Sequence, residues 1–555
     1  MRHLLLLIQM KLLWLTLNSS WSHSSLALPL VHTACRSRDG WQWSAYSATI
    51  KDDLAVAAND VARQEPDLLC APLYIFNRSF VLELLERVKA LLPRVRIVVG
   101  GPECLGDGAR ELLRRHDVIE CACKGEGEAV IPALLDAVAG SRDPGEVAGV
   151  VTRGNLERIV AAQLYDAWEK APAPCLDEFF DLGKPFVQVE TSRGCPNRCT
   201  FCTSAGAALR YRPLEAVRQE LAFLCGHGVR EIRLLDRTFN APPARAVELL
   251  RLFREDFSQM HFHLEFNPCL IPQELREELS KARPGQLHIE AGMQSMHEEV
   301  LDAIGRAHTC QRAVDGLRFL CSLTAVVVHS DLISGLPEQT LPGLCEDVRR
   351  MSAIGPGEIQ LEVLKILRGT ALEEDAARLG LVHSPEPPYD VMRTPWMDGA
   401  EIIEARYLSR IVDLYYNARA LRGAFRICLE RDGFLRAFLG YVRRQGLELG
   451  DAPSLKKRFL WLYDFVKGQH IPEAVDALRI EWMKEAFGAT GICADAQSVA
   501  EPGKGVCLYS CVEEAVLKDR EARYWRIGCS DGRTMLFVYH RGVAPNKAVA
   551  VFQLP

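Results

Sequence analysis

The 555-residue sequence lacks any long basic run: Lys and Arg total 66 against 72 Asp and Glu, a formal net charge of -6. That balance argues against nucleic acid as a partner, because a grip on phosphate backbones rests on clustered positive charge. Beyond the N-terminus it also lacks an apolar run long enough to span a bilayer, so no membrane partner is expected. Its 19 cysteines form no ladder of evenly spaced pairs. Most stand singly in apolar segments, such as Cys70 in DLLCAP and Cys321 in RFLCSL. In a chain this long, that favours reduced thiols in a cytoplasmic protein over a disulfide scaffold. The N-terminus, MRHLLLLIQMKLLWLTLNSSWSH, imitates a signal peptide. However, Lys11 interrupts the apolar run, no small-residue cleavage site follows, and KLLWLTL reads as a buried first strand. Met10 is an alternative start to Met1.

What is present is alternation. Up to residue 140, short apolar strands (KLLWLTL, DLLCAPLY, RIVVGG) alternate with helical stretches (FVLELLERVKALL, AVIPALLDAVAG). This predicts a Rossmann-like, flavodoxin-like α/β domain over 1–140 with a parallel sheet. Residues 141–182, with Pro144, Pro172 and Pro174, read as a linker. Over 183–385 strands are predicted at FVQVETS, EIRLLD, HFHLEF, QLHIEAG, VVVHSDLI and EIQLEVLKIL, a helix following each of the first five. This is a partial (β/α)6 barrel with its site at the carboxyl ends of the strands. Residues 386–555 read as a mainly helical domain with a small β tail, RYWRIGC and TMLFVYH flanking SDGR as a hairpin.

After the first barrel strand comes ETSRGCPNRCTFCTSAG, where Cys195, Cys199 and Cys202 are spaced by three and then two residues. Thiolates are the ligands that iron-sulfur clusters need, and three on one short loop hold three corners of a [4Fe-4S] cube. A zinc site would need a fourth Cys or His, and none lies in the loop. The iron left without a protein ligand can take S-adenosyl-L-methionine (SAM) through its amino and carboxylate groups. Phe201 offers a flat apolar surface nearby.

Strands buried on both faces should read as continuous apolar runs. In HFHLEFN, Phe262, Leu264 and Phe266 share one face, while His261, His263, Glu265 and Asn267 share the other. His288, Glu290 and Gln294 fall together likewise, as do His329 with Asp331 and Gln360 with Glu362. Salt bridges at strand ends would account for any single residue. Four strands sharing the feature predict a polar lumen that binds something.

The run from Glu190 to about Thr370 resembles the radical SAM superfamily. The resemblance implies a methionine contact at the segment Asp236, Arg237 and Thr238 in LLDRTFN, although the family's usual Gly-Gly-Glu is absent there. It implies a ribose contact at Glu290 or Gln294, and an adenine-side turn at Gly335 and Pro337 in GLPE. The N-terminal region resembles the cobalamin-binding domains that precede some radical SAM barrels. Gly100, Gly101, Pro102 and Glu103 of VVGGPE, and Gly125, Glu126 and Gly127 of KGEGE, stand in matching places. Glycine there suits close approach to a corrinoid. The Asp-x-His-x-x-Gly signature of domains whose histidine ligates cobalt is missing. The whole layout, including the later PPYDVMRTPW, resembles the cobalamin-binding radical SAM branch that ends in a domain of unknown function.

The resemblance implies three cofactors, a [4Fe-4S] cluster, SAM and cobalamin. It implies transfer of a methyl group from methylcobalamin to an unactivated atom of a small-molecule or natural-product substrate through a 5'-deoxyadenosyl radical. An electron donor such as flavodoxin or ferredoxin would be a partner. Alternatives are a non-methylating radical reaction using cobalamin, such as ring contraction or transfer of another SAM fragment, and a non-catalytic corrinoid sensor. An RNA methylthiotransferase is a further one, suggested by the near-even spacing of Cys35, Cys70 and Cys104. Against it, Cys70 reads as inside a strand and Cys35 as inside a helix. Tyr389 and Trp396 read as wall residues of the barrel mouth or as interdomain packing.

Overall fold

The computed structural model describes residues 9–554 apart from 39, 307–309, 486, 488–489, 500–504, 511–521, 541–542 and 545–546. Residues 1–8, on which the signal-like reading and the choice of start turn, lie outside the described residues.

KLLWLTL is buried from Leu12 to Leu15 and forms the centre of strand β1 (Met10–Asn18). Around it lie β2 (Trp41–Thr49), β3 (Leu68–Pro72), β4 (Arg96–Gly100), β5 (Cys121–Cys123) and β6 (Val150–Thr152). The order is β2-β1-β3-β4-β5-β6, parallel except for β6. Helices α1 (Ala27–Cys35), α2 (Leu54–Ala62), α3 (Arg78–Leu91), α4 (Gly108–Arg115) and α5 (Gly127–Ala139) cover both faces. The period of two explains this: Leu13, Leu15 and Leu17 pack against α2 and α3, while Leu12 and Trp14 pack against α1 and α5. This is the flavodoxin-like order, whose direction reverses between β1 and β3, the point where open sheets bind ligands. The stretch read as a linker supplies the edge strand β6.

The second sheet starts at β7 (Val187–Val189), followed by an antiparallel clip of β8 (Ser192–Arg193) with β9 (Arg210–Tyr211). It continues through β10 (Glu231–Leu234), β11 (His261–Phe266), β12 (Leu287–Gln294), β13 (Val326–Ser334) and β14 (Glu358–Val363). β7 and β10–β14 pair in sequential order, all parallel, giving the six-stranded partial barrel. Helices over 399–411, 419–429, 434–444, 455–468 and 472–484 continue the barrel's apolar core. A five-stranded antiparallel sheet follows, in which Ala522–Gly528 and Thr534–His540 pair as the predicted hairpin.

Candidate active site between the two sheets

The cysteine loop spans the gap between β8 and β9. Gly194 adopts φ +93, and a Cβ there would lie 2.2 Å from Ala208 O, so only glycine lets the chain turn out of the clip. Cys195 N donates to Ala207 O at 3.1 Å, and Gly206 N to Asn197 O at 2.8 Å. Thr200 fixes the tip, its N–H donating to Ile304 O and its carbonyl accepting from Leu372 N, both at 2.9 Å. Donors surround the thiols: Thr238 Oγ1 is 3.3 Å from Cys195 Sγ, Ser204 N 3.5 Å from Cys202 Sγ, and Arg306 Nη1 3.7 Å from Cys199 Sγ. Burial pushes the Cys199 thiol up and Arg306 pulls it back down.

The donor set fits a cluster better than a single ion. Tetrahedral zinc, with Zn–S of about 2.3 Å, would bring its thiolates to roughly 4 Å from one another. Among the described residues, only Asp476, Cys529 and Asp531 bring three such ligand atoms within 4.8 Å. The three Sγ atoms of Cys195, Cys199 and Cys202 therefore do not all lie within 4.8 Å of one another, which suits thiolates on separate corners of a cube. They remain close enough for the charges of Cys195 and Cys202 to act on Cys199.

Beside the loop, a cavity of about 110 Å³ opens at the strand ends. Asn197, Arg237, Thr238, Asn267 and Arg306 line it together with Glu265, Glu290, Gln294 and Asp331. Register explains the gathering: Glu265 stands opposite Glu290 and Gly292 opposite Asp331. Burial raises the Glu265 carboxyl to about 7 despite Arg237. The hydrogen bond from His263 at 3.2 Å holds Glu290 well below the usual carboxylate range. Gln294 sits at φ +69, beside a register break in β12. Such a strained backbone persists where surroundings enforce it. Guanidinium groups beside carboxylates suit a zwitterionic amino acid such as the methionyl end of SAM.

Of the SAM contacts implied by resemblance, Glu290 and Gln294 line this cavity. So do Arg237 and Thr238 of the LLDRTFN segment, whereas Asp236 does not, which corrects the expectation for that one residue. Its carboxylate is buried and accepts from Thr191 N at 2.8 Å, Thr191 Oγ1 at 2.5 Å and Ser192 N at 3.0 Å. Period two explains the direction, since Asp236 shares parity with buried Ile232 and Leu234 while Arg237 shares it with Arg233. Phe201 is half-buried on the barrel core instead. Gly335 and Pro337 form a buried turn outside the cavity, Gly335 N donating to Gln339 Oε1 at 2.8 Å. Arg306 and Asn197 escaped the sequence reading. Only their closeness to the cysteines in the fold marks them.

Deeper in the lumen stand His263, His288 and His329. His288 is lowered to about 4 by burial and by its two histidine neighbours, and its Nε2 is buried without a partner. Burial opposes charge on His329 too, yet Asp331 and Glu290 hold it up at about 9. Its Nε2 lies 2.9 Å from Gln360 Oε1 and 2.9 Å from Asp331 Oδ1.

A larger cavity, of about 660 Å³, lies between the two sheets. Gly100, Gly101, Gly125, Glu126 and Gly127 line it from the N-terminal side, and Gln188, Glu190, Arg193 and Arg237 from the barrel side. Gly101 has φ +91, and a Cβ there would lie 2.8 Å from Leu73 O; a Cβ on Gly127 would lie 2.9 Å from Val31 Cγ2. Pro102 and Glu103 do not line it. Glu103 is buried behind the turn and accepts from Tyr389 Oη at 2.5 Å, while Arg78 Nη1 donates to that hydroxyl at 2.8 Å. Tyr389 is thus interdomain packing, 1% exposed.

Arg193 bridges the domains. Its guanidinium donates to Glu190 Oε2 and to Glu128 Oε1, faces Glu126 at 3.4 Å, and lies over the Trp168 ring. Glu126 also receives Arg210 Nη2 and, at 2.7 Å, Tyr165 N. Its carboxylate is therefore committed to this latch. Cys35, Cys70 and Cys104 are buried in a helix, a strand and a short 3-10 turn, and burial pushes Cys35 and Cys104 up to about 12. They are poor candidates for thiolate ligands.

A cysteine loop on a partial parallel barrel, with a polar cavity at the strand ends, defines a radical SAM domain, and the radical SAM superfamily matches residues 189–351. Residues 377–486 match a protein of unknown function (DUF4080). The chain joins a radical SAM domain to that C-terminal domain. It is 28% identical over 267 residues to an uncharacterized methyltransferase of Pyrococcus horikoshii, covering 45% of this chain and 56% of that protein. It is 25% identical over 360 residues to the cobalamin-dependent radical SAM methyltransferase TokK of Streptomyces tokunonensis, covering 59% and 51%. The chain spans about half the length of these curated relatives. Its fold matches that of the cobalamin-dependent S-adenosylmethionine radical enzyme OxsB, solved with aqua-cobalamin and SAM bound. The TM-score is 0.60 at 13% identity, over 86% of this chain and 79% of that one. Among the described residues no helix is long and apolar enough to cross a membrane.

Proposed function

We propose that this protein is a cobalamin-dependent radical SAM methyltransferase acting on a small molecule. The observation that carries the reading is the cavity shared by the glycine turns of the N-terminal sheet and the barrel strand ends, two residues from the first cluster cysteine. A cofactor there would face whatever the barrel holds. Trp14, which lines the cavity, supports the fit: its Nε1 is buried without an acceptor, an arrangement that calls for a ligand.

Cys195, Cys199 and Cys202 would hold the cluster. Arg237, Glu265, Gln294 and Arg306 would orient SAM, and Gly100, Gly101, Gly125 and Gly127 would admit the corrinoid. Together the bound groups would supply a carbon-centred radical and a methyl donor. The chain's own part is to aim both at one substrate atom and keep water out. Arg193 holds the two cofactor sites at a fixed separation, and the Asp236 carboxylate fixes the backbone that leads into the cysteines. Asp331 and the lumen histidines stand where a polar substrate would lie. A one-electron donor such as flavodoxin or ferredoxin would be the partner, with the cytoplasm as the compartment that scattered free cysteines suit.

The test is anaerobic reconstitution with iron and sulfide, then SAM, reductant and hydroxocobalamin. Bound cobalamin, with 5'-deoxyadenosine formed by wild type and none by Cys199→Ala, is expected. Failure of cobalamin to bind overturns the methyltransferase reading. Cobalamin bound with no 5'-deoxyadenosine from an intact cluster would favour a sensor.

A further inference from the structure

A further cavity, of about 320 Å³, adjoins the cysteine loop. Pro196, Asn197 and Arg198 of the loop line it, together with Arg306 and with Arg312 of the helix over 310–322. Asn197, Asn267 and Arg306 line this cavity and the strand-end cavity alike, so these three side chains form the partition between the two. The partition is held in place. Asn267 Nδ2 donates to Asn197 Oδ1 at 3.1 Å, and the Arg306 guanidinium donates to Gly292 O while facing Cys199 Sγ.

The charge of this cavity is one-sided. Arg198, Arg306 and Arg312 line it, and among the described residues no carboxylate does. The strand-end cavity, by contrast, balances Arg237 and Arg306 with Glu265, Glu290 and Asp331. Arg198 and Arg312 are exposed, and among the described residues neither they nor Arg306 form an ion pair. Three unneutralised guanidiniums on a chain of net charge -6 make a local positive field that gathers and orients an anionic partner. With SAM in the strand-end cavity, the exposed flank of the loop at Pro196 and Arg198 is the side left open to a carrier protein.

We infer that this face docks an acidic one-electron carrier of the flavodoxin kind, with Arg198 and Arg312 steering it and Arg306 standing between it and Cys199. The inference rests on the functional reading above and gives its electron donor a place to bind. What crosses is one electron and no proton. The carrier's anionic flavin hydroquinone becomes the neutral semiquinone, and the cluster gains the electron with no bond made or broken.

The test measures binding of a purified acidic flavodoxin to the reconstituted full chain by isothermal titration calorimetry, and cluster reduction by its hydroquinone in stopped flow. At an ionic strength of about 0.02 M, Arg198→Glu/Arg312→Glu should weaken binding and slow reduction about tenfold or more. The gap should close at about 0.5 M, where screening removes the steering. Photoreduced 5-deazariboflavin, a small uncharged reductant, should reduce both proteins at the same rate. Lys51→Glu/Arg94→Glu makes the same change in net charge at exposed sites of the N-terminal domain and should bind flavodoxin as wild type does. Equal flavodoxin affinity in wild type and Arg198→Glu/Arg312→Glu, or an equal loss in the N-terminal pair, overturns the inference. Should the charge-reversed protein not fold, Arg198→Gln/Arg312→Gln should show a smaller loss in the same direction; no loss overturns it. Inorganic phosphate displacing flavodoxin from wild type, where chloride at the same ionic strength does not, would mark a small-anion site and overturn it too. Wild type forming no 5'-deoxyadenosine with either reductant would bring down the functional reading itself, a different outcome from a flavodoxin indifferent to Arg198 and Arg312.

Discussion

Arg193 Nη2 donates to Glu128 Oε1 at 2.7 Å, so a residue two places before Cys195 is bonded to the helix that starts at the Gly125–Gly127 turn. Glu128 is almost wholly buried, and Glu190 shares the same guanidinium. The pair spans the boundary between the N-terminal sheet domain and the barrel.

Removing that cation leaves both carboxylates without a counter-charge. Arg193→Ala is expected to cost about 3–5 kcal/mol, the usual penalty for stranding a buried charge. Urea denaturation would read the loss, with lower corrinoid retention in the folded fraction. Arg193→Lys should recover only part, since one ammonium cannot reproduce the forked contacts.

Asp236→Asn tests what the carboxylate at the end of β10 holds. If Asp236 fixes Thr191 and Ser192, the amide loses one acceptor and iron content after reconstitution should fall, while SAM affinity per intact cluster stays unchanged. A selective loss of SAM affinity at normal iron content would restore the methionine-contact expectation.

The glycine turns give a graded pair. A Cβ at Gly101 meets Leu73 O at 2.8 Å with φ +91, whereas one at Gly100 meets Cys123 Cβ at an ordinary 3.6 Å. Gly101→Ala should destabilise by about 1–3 kcal/mol and lower corrinoid retention. Gly100→Ala should unfold close to wild type. Parallel denaturation curves of the two variants check this.

His329 gives a pH dependence. Its folded value of about 9 lies above the ordinary 6.5, so the folded state binds more protons between those values. Its contribution is fully present below about 6.5 and lost as pH rises through about 9. His329→Gln should flatten that decline, measured as unfolding free energy across the window.

The barrel was legible in the sequence because each strand alternates cleanly and a helix follows it; FHLEF alone gives away its lumen face. β2 escaped because WQWSAYSAT is a half-exposed edge strand whose aromatic residues are interrupted by small and polar ones, with no apolar run. The cysteine loop was legible through spacing, since three thiols on one short segment need no tertiary information. Arg306 was not, because it meets Cys199 from 107 residues away. Within LLDRTFN, Arg237 and Thr238 reach the cavity, but side-chain parity turns the Asp236 carboxylate toward the backbone of Thr191. That parity was visible in EIRLLDR.

Tyr389, Glu103 and Arg78 close a seam between the first domain and the end of the barrel. A ribosome delivers Arg78 and Glu103 long before Tyr389 emerges. Until then Arg78 has Glu103 and Glu111 of its own domain, and the Glu103 carboxylate lacks the hydroxyl that caps it. The nascent chain therefore finishes its first domain last along this face, and the seam dries only once translation has passed the barrel.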